Sequence, residues 1–345
     1  MQLMCIGDIA ISDESVTKFP WAPPVETIPG DEVMVLYNWE LPIGKTVNPF
    51  PRTSGPRLLS HPNSFEAIRS WAPGFASLAN NHILDAGKEG LIDTITTLRT
   101  MGFQTIGAGL SVDDIQKPLL WETVEGKFAI VNWVFPETHP DCETAIGPNC
   151  WPGLGEARVI IQSLKNHANW VLVLVHWSDE DFSFPRPEDR LLARELAGMG
   201  ADMIIGHHPH VVRGMEIIGS CPVFYSLGNY FFSNFKDSRG EWVVQNSPRN
   251  REGLGILVKA VRSQTLTYQI IGFIQIDQQT IIDPKYRAVR RVKSTSQPFT
   301  LNQDEYDEWY RNKRHQFDRW LGRWHFGVRR LGVHGLIIKA LRSLH

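Results

Sequence analysis

The chain has 345 residues, of which 42% are hydrophobic and 21% are charged, and its formal net charge is −2. This composition is typical of a globular protein that can bury a large core, and it excludes a disordered or fibrous chain. Outside its last 45 residues the chain has an excess of acidic groups. We therefore expect no nucleic-acid partner.

The first residues, Met1–Asp8, contain no basic segment followed by a long apolar one, so we expect no signal peptide. No run of about 18 apolar residues predicts a helix that spans a membrane. The four cysteines form no C-x-x-C motif and are too few for a disulfide framework. We expect a cytoplasmic protein with reduced thiols, in which Cys142 and Cys150 are not paired.

Short apolar segments alternate along the chain with segments of helical spacing. The predicted strands are Leu3–Ile6, Met34–Tyr37, Phe75–Ala79, Phe128–Val131, Trp170–Val175, Met203–Ile205, Val223–Leu227, Gly255–Val261 and Thr267–Ile276. The predicted helices are Gly90–Met101 and Arg190–Met199. Continuously apolar strands that alternate with helices indicate an α/β fold with sheets covered on both faces. The polar stretch Arg239–Gly253 is predicted to be a surface loop.

The strongest chemical signal is a cluster of three histidines, His207, His208 and His210, directly after a predicted strand. Neutral imidazole is the commonest metal ligand in proteins. His208 and His210 are two residues apart, so in an extended segment they lie on the same side and can reach one site. The alternative is a loop of solvated or hydrogen-bonded histidines.

Weaker signals of the same kind follow four other predicted strands. They are Asp8, the pair Asn38 and Glu40, the group Asn80, Asn81, His82 and Asp85, and the pair His176 and Glu180. Each has an ordinary structural alternative, such as a turn residue or a helix cap. Sites in α/β folds form outside the carboxyl ends of the strands, so the recurrence of these residues there indicates a shared metal site.

In this combination and order, the motifs resemble the capsule-synthesis (CapA/PgsA-like) family, a branch of the calcineurin-like metallophosphoesterases. The resemblance rests on Gly7-Asp8, Asn38-Trp39-Glu40, Ala79-Asn80-Asn81-His82, His176-Trp177, Gly206-His207-His208-Pro209-His210 and Tyr225–Tyr230. It covers roughly residues 1–235. It implies a four-layer α-β-β-α sandwich over residues 1–290.

The resemblance also implies roles for individual residues. Two divalent metal ions (Mn, Fe, Zn or Ca) would be held by Asp8, Glu40, Asn81, His176, His208 and His210. His82 would be the catalytic proton donor, acting beside Asp8. The residues expected to orient these groups or to contact substrate are Asn38, Asn80, Asp85, Glu180, His207 and Asn229.

The implied activity is hydrolysis or transfer at a phosphate- or carboxylate-bearing substrate, either a small phosphorylated molecule or an anionic polymer of capsule or poly-gamma-glutamate synthesis. The chain departs from phosphatases of this superfamily at two motifs. Ala10 replaces the histidine of Asp-x-His, and Asn38-x-Glu40 replaces the second acidic motif. Two alternatives stay open: metal-assisted peptide carbonyl chemistry (an epimerase or amide transferase), and a polymer-binding scaffold without catalysis.

The last 45 residues differ in character from the rest. Residues 301–345 contain nine Lys or Arg and five Asp or Glu. The apolar residues Phe317, Trp320, Trp324 and Val328 recur at helical spacing, which predicts a basic, Trp-rich helical tail over 300–345. Such a helix either packs on a protein core through its aromatic face or binds the cytoplasmic surface of a membrane.

Overall fold

The computed structural model describes residues 1–12, 21, 24, 33–47, 55–142, 145–237, 239–261 and 265–321. The chain divides into two compact units, Met1–Gln297 and Pro298–His345. The first unit contains both sheets and the helix Arg287–Ser296, so it extends beyond the expected boundary at residue 290.

The first sheet has eight strands. They are β1 (Gln2–Ala10), β2 (Val33–Trp39), β3 (Gly74–Ser77), β4 (Phe103–Ile106), β13 (Asn229–Phe232), β16 (Glu252–Val261), β17 (Thr265–Ile276) and β18 (Gln279–Ile282). Their order is β18-β17-β16-β1-β2-β3-β4, and β13 pairs with β1. Because β1 to β4 are parallel, their carboxyl ends lie at the same edge of the sheet.

The second sheet has six strands: β6 (Leu119–Thr123), β7 (Gly126–Val134), β9 (Trp170–His176), β10 (Met203–His207), β11 (Met215–Ile218) and β12 (Cys221–Phe224). Their order is β11-β12-β10-β9-β7-β6. The central strands β7, β9, β10 and β12 are parallel. Two small pairs complete the strands: β5 (Ala108–Gly109) with β8 (Gly147–Pro148), and β14 (Phe235–Lys236) with β15 (Trp242–Val244).

Five α-helices of the first unit connect or cover these strands. They are α1 (Gly87–Thr100), α2 (Val112–Gln116), α3 (Leu154–Lys165), α4 (Pro187–Met199) and α5 (Arg287–Ser296). In the part of the chain that the structure describes, 3-10 segments are also present at Pro62–Trp71, Pro136–Thr138 and Gln297–Thr300.

The layers follow from the alternation of side chains along the strands. Leu3 of β1 belongs to a buried core that also contains Leu172 and Ile205 of the second sheet, so this core lies between the two sheets. Met4 faces the other way and joins a core that includes Leu91 of α1. On the far side, α3 and α4 contact β9 and β10. The predicted four-layer α-β-β-α arrangement is confirmed.

Most predicted strands differ from the observed ones by a few residues at their ends, and two of these differences bear on the site. β1 continues through Asp8 to Ala10, and its pairing with both neighbours is irregular around Asp8. Such irregularities turn side chains in new directions, often beside functional sites. The strand predicted over Val223–Leu227 ends at Phe224, and the chain then crosses to the first sheet as β13.

The stretch Arg239–Gly253 is not only a surface loop. It contains β15 and the first residues of β16, and the side chain of Asn250 within it is buried. This asparagine is held by partners distant in sequence, described below.

Cys142 and Cys150 form a disulfide, so the expectation of reduced thiols is wrong for this pair. Their Cα atoms are 6.1 Å apart, within the span of a disulfide. Just before Cys150, β8 pairs with β5, and Cys150 itself forms a bridge with Val134. Cys5 and Cys221 are free and buried, as expected.

The second unit contains a helix over residues 303–321. Its aromatic residues include Phe317 and Trp320, whose rings stack with centroids 6.0 Å apart. The rest of the expected tail, including Trp324 and Val328, lies outside the described residues and stays a prediction. Among the described helices, none is both long and apolar enough to cross a bilayer.

Candidate metal centre

Side chains from both sheets meet at the carboxyl ends of the parallel strands. The first sheet brings Asp8 in β1 and Glu40 just after β2. The second brings His176 at the end of β9 and His210 shortly after β10. His176 Nε2 is 3.5 Å from Glu40 Oε1, and His210 Nδ1 is 3.4 Å from Asp8 Oδ2.

Asn81 and His208 complete the group of six expected ligands. Asn81 Oδ1 lies 3.0 Å from His176 Nε2. The His208 ring lies between the other two histidines, with its centroid 4.8 Å from that of His176 and 5.8 Å from that of His210. The structure therefore brings all six side chains into one cluster at the junction of the sheets.

Two asparagine amides hold the carboxylates in place. Asn38 Nδ2 donates hydrogen bonds to Asp8 Oδ1 (2.8 Å) and Glu40 Oε2 (2.5 Å). Asn80 Nδ2 in turn donates to Asn38 Oδ1 at 3.3 Å and to the Trp39 carbonyl at 2.8 Å. Asn38 thus orients the two carboxylates, and Asn80 orients Asn38.

Asp8 is presented by a close crossing of the backbone. Its N–H donates to the Gly228 carbonyl at 3.0 Å, where the chain passes from the second sheet to the first. A Cβ at Gly7 would lie only 2.0 Å from that carbonyl oxygen, so a glycine is required before Asp8. The Gly-Asp motif therefore has a steric cause in this fold.

His207 and Asn229 have supporting positions. His207 is the last residue of β10, and its Nε2 lies 3.3 Å from the Ile6 carbonyl of β1. Asn229 Oδ1 lies 3.0 Å from His210 Nδ1. The first contact links the two sheets and the second orients the His210 ring.

His82 and Asp85 form a buried pair beside the cluster, with Nδ1 and Oδ2 2.6 Å apart. Asp85 also accepts hydrogen bonds from the Leu58 N–H at 2.7 Å and from Arg57 Nη1 at 3.3 Å. These donors fix the carboxylate, and the carboxylate fixes the orientation of the His82 ring.

The pKa values of the two buried carboxyl groups, Asp8 and Glu40, are shifted in opposite directions. Burial raises the pKa of Glu40 well above its ordinary value, and the charge of Asp8 raises it further. Burial also acts to raise the pKa of Asp8, but the hydrogen bond with His210 and the charges of His207 and His210 hold it below its ordinary value.

The pKa values of His176 and His210 are also shifted in opposite directions. Burial and the neighbouring histidines hold the pKa of His176 well below its ordinary value, so its ring is neutral and able to bind a metal. Burial acts to lower the pKa of His210, but the hydrogen bond with Asp8 and the charges of Glu40, Asp8 and Glu180 raise it to about 10. This pKa places a proton on His210 at neutral pH, beside Asp8.

The donor set fits a cation. Glu40 Oε1 and His176 Nδ1 are buried and have no hydrogen-bond partner among the described residues. Within the described chain, two groups of three residues each have ligand atoms that lie within 4.8 Å of one another. One group is Glu40, His176 and His208, and the other is Glu180, His208 and His210. Mixed imidazole and carboxylate donors suit Zn, Fe or Mn.

Several residues around the centre were not anticipated from the sequence. Arg57 contacts Asp85, Arg213 holds the segment around Glu180, and Asn250 contacts the backbone at His210. Arg213 and Asn250 are buried polar residues joined to partners more than 30 positions away. No local pattern marks them, apart from the short interval between His210 and Arg213.

The sequence profile described as bacterial capsule synthesis protein PGA_cap matches residues 3–234. The chain belongs to this family. The matched part of this PGA_cap protein contains every expected ligand, from Asp8 to His210, as well as the His82–Asp85 pair.

Two curated relatives also have names that refer to PGA or capsule biosynthesis. The PGA biosynthesis protein CapA of Bacillus subtilis (strain 168) is 30% identical over 235 residues, which cover 66% of this chain and 62% of that protein. The capsule biosynthesis protein CapA of Bacillus anthracis is 32% identical over 166 residues, covering 45% of this chain and 39% of that protein. The match thus spans less than two thirds of the length of either relative.

Solved structures with a similar course of the chain include a phosphatase from Mycoplasma pneumoniae and a 5'-nucleotidase precursor from Thermus thermophilus. The first has a TM-score of 0.47 at 14% identity and covers 83% of this chain and 95% of the phosphatase. The second has a TM-score of 0.46 at 15% identity and covers 87% of this chain and 59% of the nucleotidase.

Proposed function

We propose that this PGA_cap protein is a metal-dependent hydrolase or transferase that acts on a phosphate- or carboxylate-bearing substrate in the synthesis of an anionic capsule polymer. The observation that carries the proposal is the convergence of six ligand-capable side chains from both sheets beside a buried His–Asp pair. Buried ionisable clusters of this kind are characteristic of functional sites.

Two divalent ions would be held by Asp8, Glu40, Asn81, His176, His208 and His210. Bound there, they would supply Lewis acidity that activates water and offsets charge on a substrate. Asn38 keeps both carboxylates turned toward the histidines through its two hydrogen bonds. The burial of Asp8, Glu40 and His176 excludes water from these groups and strengthens their interaction with a cation.

His82 is assigned as the proton donor to the leaving group. Its Nδ1 is engaged by Asp85, so proton exchange with a substrate falls to Nε2. Arg57 and the Leu58 N–H hold Asp85 in place, which restricts rotation of the imidazole. A positioned general acid of this type contributes about 10²–10⁴-fold to a reaction rate.

The class of substrate is proposed from the family and from the donor set. The two CapA relatives are named for PGA and capsule biosynthesis. A centre of cations attracts anionic groups, and both a poly-gamma-glutamate chain and a phosphorylated intermediate offer them. Either an anionic polymer or a small phosphorylated molecule therefore suits the site.

The test combines metal analysis with an assay on a generic aryl phosphate. Wild-type protein should hold about two equivalents of a transition metal and hydrolyse the ester. His208→Ala should lose metal and activity together, whereas His82→Ala should lose activity and keep its metal. His167→Ala is the matched control, because His167 is exposed and its Nδ1 contacts the Ser163 carbonyl, outside the cluster.

The outcomes distinguish the proposal from its alternatives. Metal without ester hydrolysis, but with solvent deuterium uptake at an α-carbon of a glutamate polymer, would favour carbonyl chemistry. Polymer binding that is unchanged by chelation, in a protein that holds no metal after reconstitution with Mn, Fe, Zn and Ca, would overturn the proposal and favour a scaffold.

A further inference from the structure

Glu180 stands apart from the other residues of the cluster because it is exposed to solvent. A carboxylate oxygen of Glu180 and one ring nitrogen each of His208 and His210 lie within 4.8 Å of one another. His208 is buried and His210 is only slightly accessible. The three residues therefore form a group that runs from the buried centre to its solvent-facing rim.

The segment that carries Glu180 is tied directly to the histidine segment. The Asp181 N–H donates to the carbonyl of Pro209, between the two histidines, at 2.9 Å. Asn250 joins the same two segments, because its Nδ2 donates to Asp181 Oδ1 at 2.7 Å and to the His210 carbonyl at 3.1 Å. These bonds hold Glu180 beside His208 and His210.

A buried arginine holds the same segment from the other side. Arg213 is fully buried, and its Nε and Nη2 donate to the carbonyls of Phe182 (2.9 Å) and Asp179 (2.7 Å). Its Nη1 donates to Ser178 Oγ at 2.5 Å. One guanidinium thus holds the backbone on both sides of Glu180.

The backbone is strained where these segments meet. Four non-glycine residues have positive φ: Ser178 at 74°, Asp181 at 61°, His208 at 92° and His210 at 56°. Such conformations are unfavourable for residues with a side chain, and they persist where surrounding contacts impose them, often at ligand sites. Here the strain falls on the residues that bring Glu180 to the two histidines.

We propose that Glu180 is a ligand of the outer metal ion, together with His208 and His210, and that Arg213 is the residue that positions it. The proposal rests on the metal centre proposed above and adds a ligand to its solvent side. Two imidazoles and one carboxylate favour Zn, Fe or Mn over Ca or Mg at this position.

The first test measures Zn²⁺ binding to Glu180→Gln by chelator competition and by elemental analysis. One of the two Zn²⁺ ions should bind at least about tenfold more weakly, since residues that merely orient ligands already contribute about 10–100-fold. The other ion should bind as in wild type. With Co²⁺ in place of Zn²⁺, the visible absorption spectrum of the ion at the weaker-binding position should change.

Glu188→Gln is the matched control, because it removes an exposed carboxylate from the start of α4, close by in sequence. It should bind Zn²⁺ as wild type does. Unchanged affinity and an unchanged Co²⁺ spectrum in Glu180→Gln would overturn this proposal alone. A wild-type protein that binds no Zn²⁺ would overturn the proposed metal centre as well.

A second variant tests the positioning role. Arg213→Lys keeps the charge but cannot donate to three groups in the arrangement of a guanidinium. It should lower the affinity for the same Zn²⁺ ion. In a Glu180→Gln background it should cause no further loss of affinity, because both changes act through one ligand. A further loss in the double variant would contradict positioning by Arg213. If Arg213→Lys does not fold, Glu180→Gln still decides whether Glu180 is a ligand.

Discussion

The two sheets contribute different chemistry to the centre and hold it by different means. The first sheet supplies oxygen ligands, Asp8 and Glu40, and braces them with the amide of Asn38. The second supplies imidazoles from His176 and from the strained segment after β10. The oxygens of Asp8 and Glu40 are held by hydrogen bonds from one asparagine, whereas His208 and His210 depend on a segment that distant residues keep in an unfavourable conformation.

This difference indicates what a bound cation would do to the protein. Glu40 comes from the first sheet and His176 and His208 from the second, so a cation held by these three residues would join two layers that also meet through an apolar core. Metal binding should therefore be coupled to the stability of the whole first unit.

The largest expected effect is the loss of that coupling. At a metal concentration about 1,000 times the dissociation constant, binding stabilises a folded protein by about 4 kcal/mol. Differential scanning calorimetry with Zn²⁺ and with a chelator should show this as a shift in Tm. Asp8→Asn in the first sheet and His208→Ala in the second should each reduce the shift. A shift of wild-type size in either variant would mean that the substituted residue is not needed to hold the metal.

A smaller effect is expected from the brace on the oxygen side. Asn38→Ala removes the donor to both Asp8 and Glu40, so metal affinity should fall by about 10–100-fold while some binding remains. Isothermal titration with Mn²⁺ measures the change. The conservative Asn38→Gln is the comparison, and equal affinity in Asn38→Ala and wild type would show that the carboxylates do not need the brace.

The smallest effect is a dependence of metal affinity on pH that arises on the imidazole side. The pKa of His210 is raised to about 10, so its ring is protonated at pH 7 and metal binding must release that proton. Affinity should therefore rise about tenfold per pH unit from pH 7 to 9 and fall as the pH is lowered. Titrations in buffers of different ionisation enthalpy count the protons. Release of no proton would contradict a His210 that is both protonated at pH 7 and a ligand of the metal.

The fold was largely predictable where a single strand carries its own signal. Trp170–His176 is apolar to its final histidine and is completely buried, as its sequence indicates. By contrast, α3 was not predicted, because it buries Ala157 and Ile161 but exposes Leu154 and Val159. Ala157, Ile161 and Leu164 recur at helical spacing, but the exposed Val159 places a further apolar residue on the opposite face and obscures the pattern.

The candidate site shows the same limit. Its expected ligands occur in short motifs, and the strand ends place those motifs together. Arg213 and Asn250 act through hydrogen bonds to residues more than 30 positions away, and nothing local distinguishes them from ordinary polar residues. The disulfide was missed for a related reason: the spacing of Cys142 and Cys150 in the sequence does not show that their Cα atoms lie 6.1 Å apart in the fold.

The position of β1 also matters for how the protein is made. This strand lies inside the first sheet, with β2 on one side and β16 and β13 on the other. Gln2 pairs with Lys259, so β1 leaves the ribosome long before its neighbours β13 and β16 have been synthesised. Until then an apolar strand presents an open edge on which other chains can add. Nascent chains that stop before β13 should therefore aggregate or require a chaperone, although every ligand from Asp8 to His210 has already been synthesised.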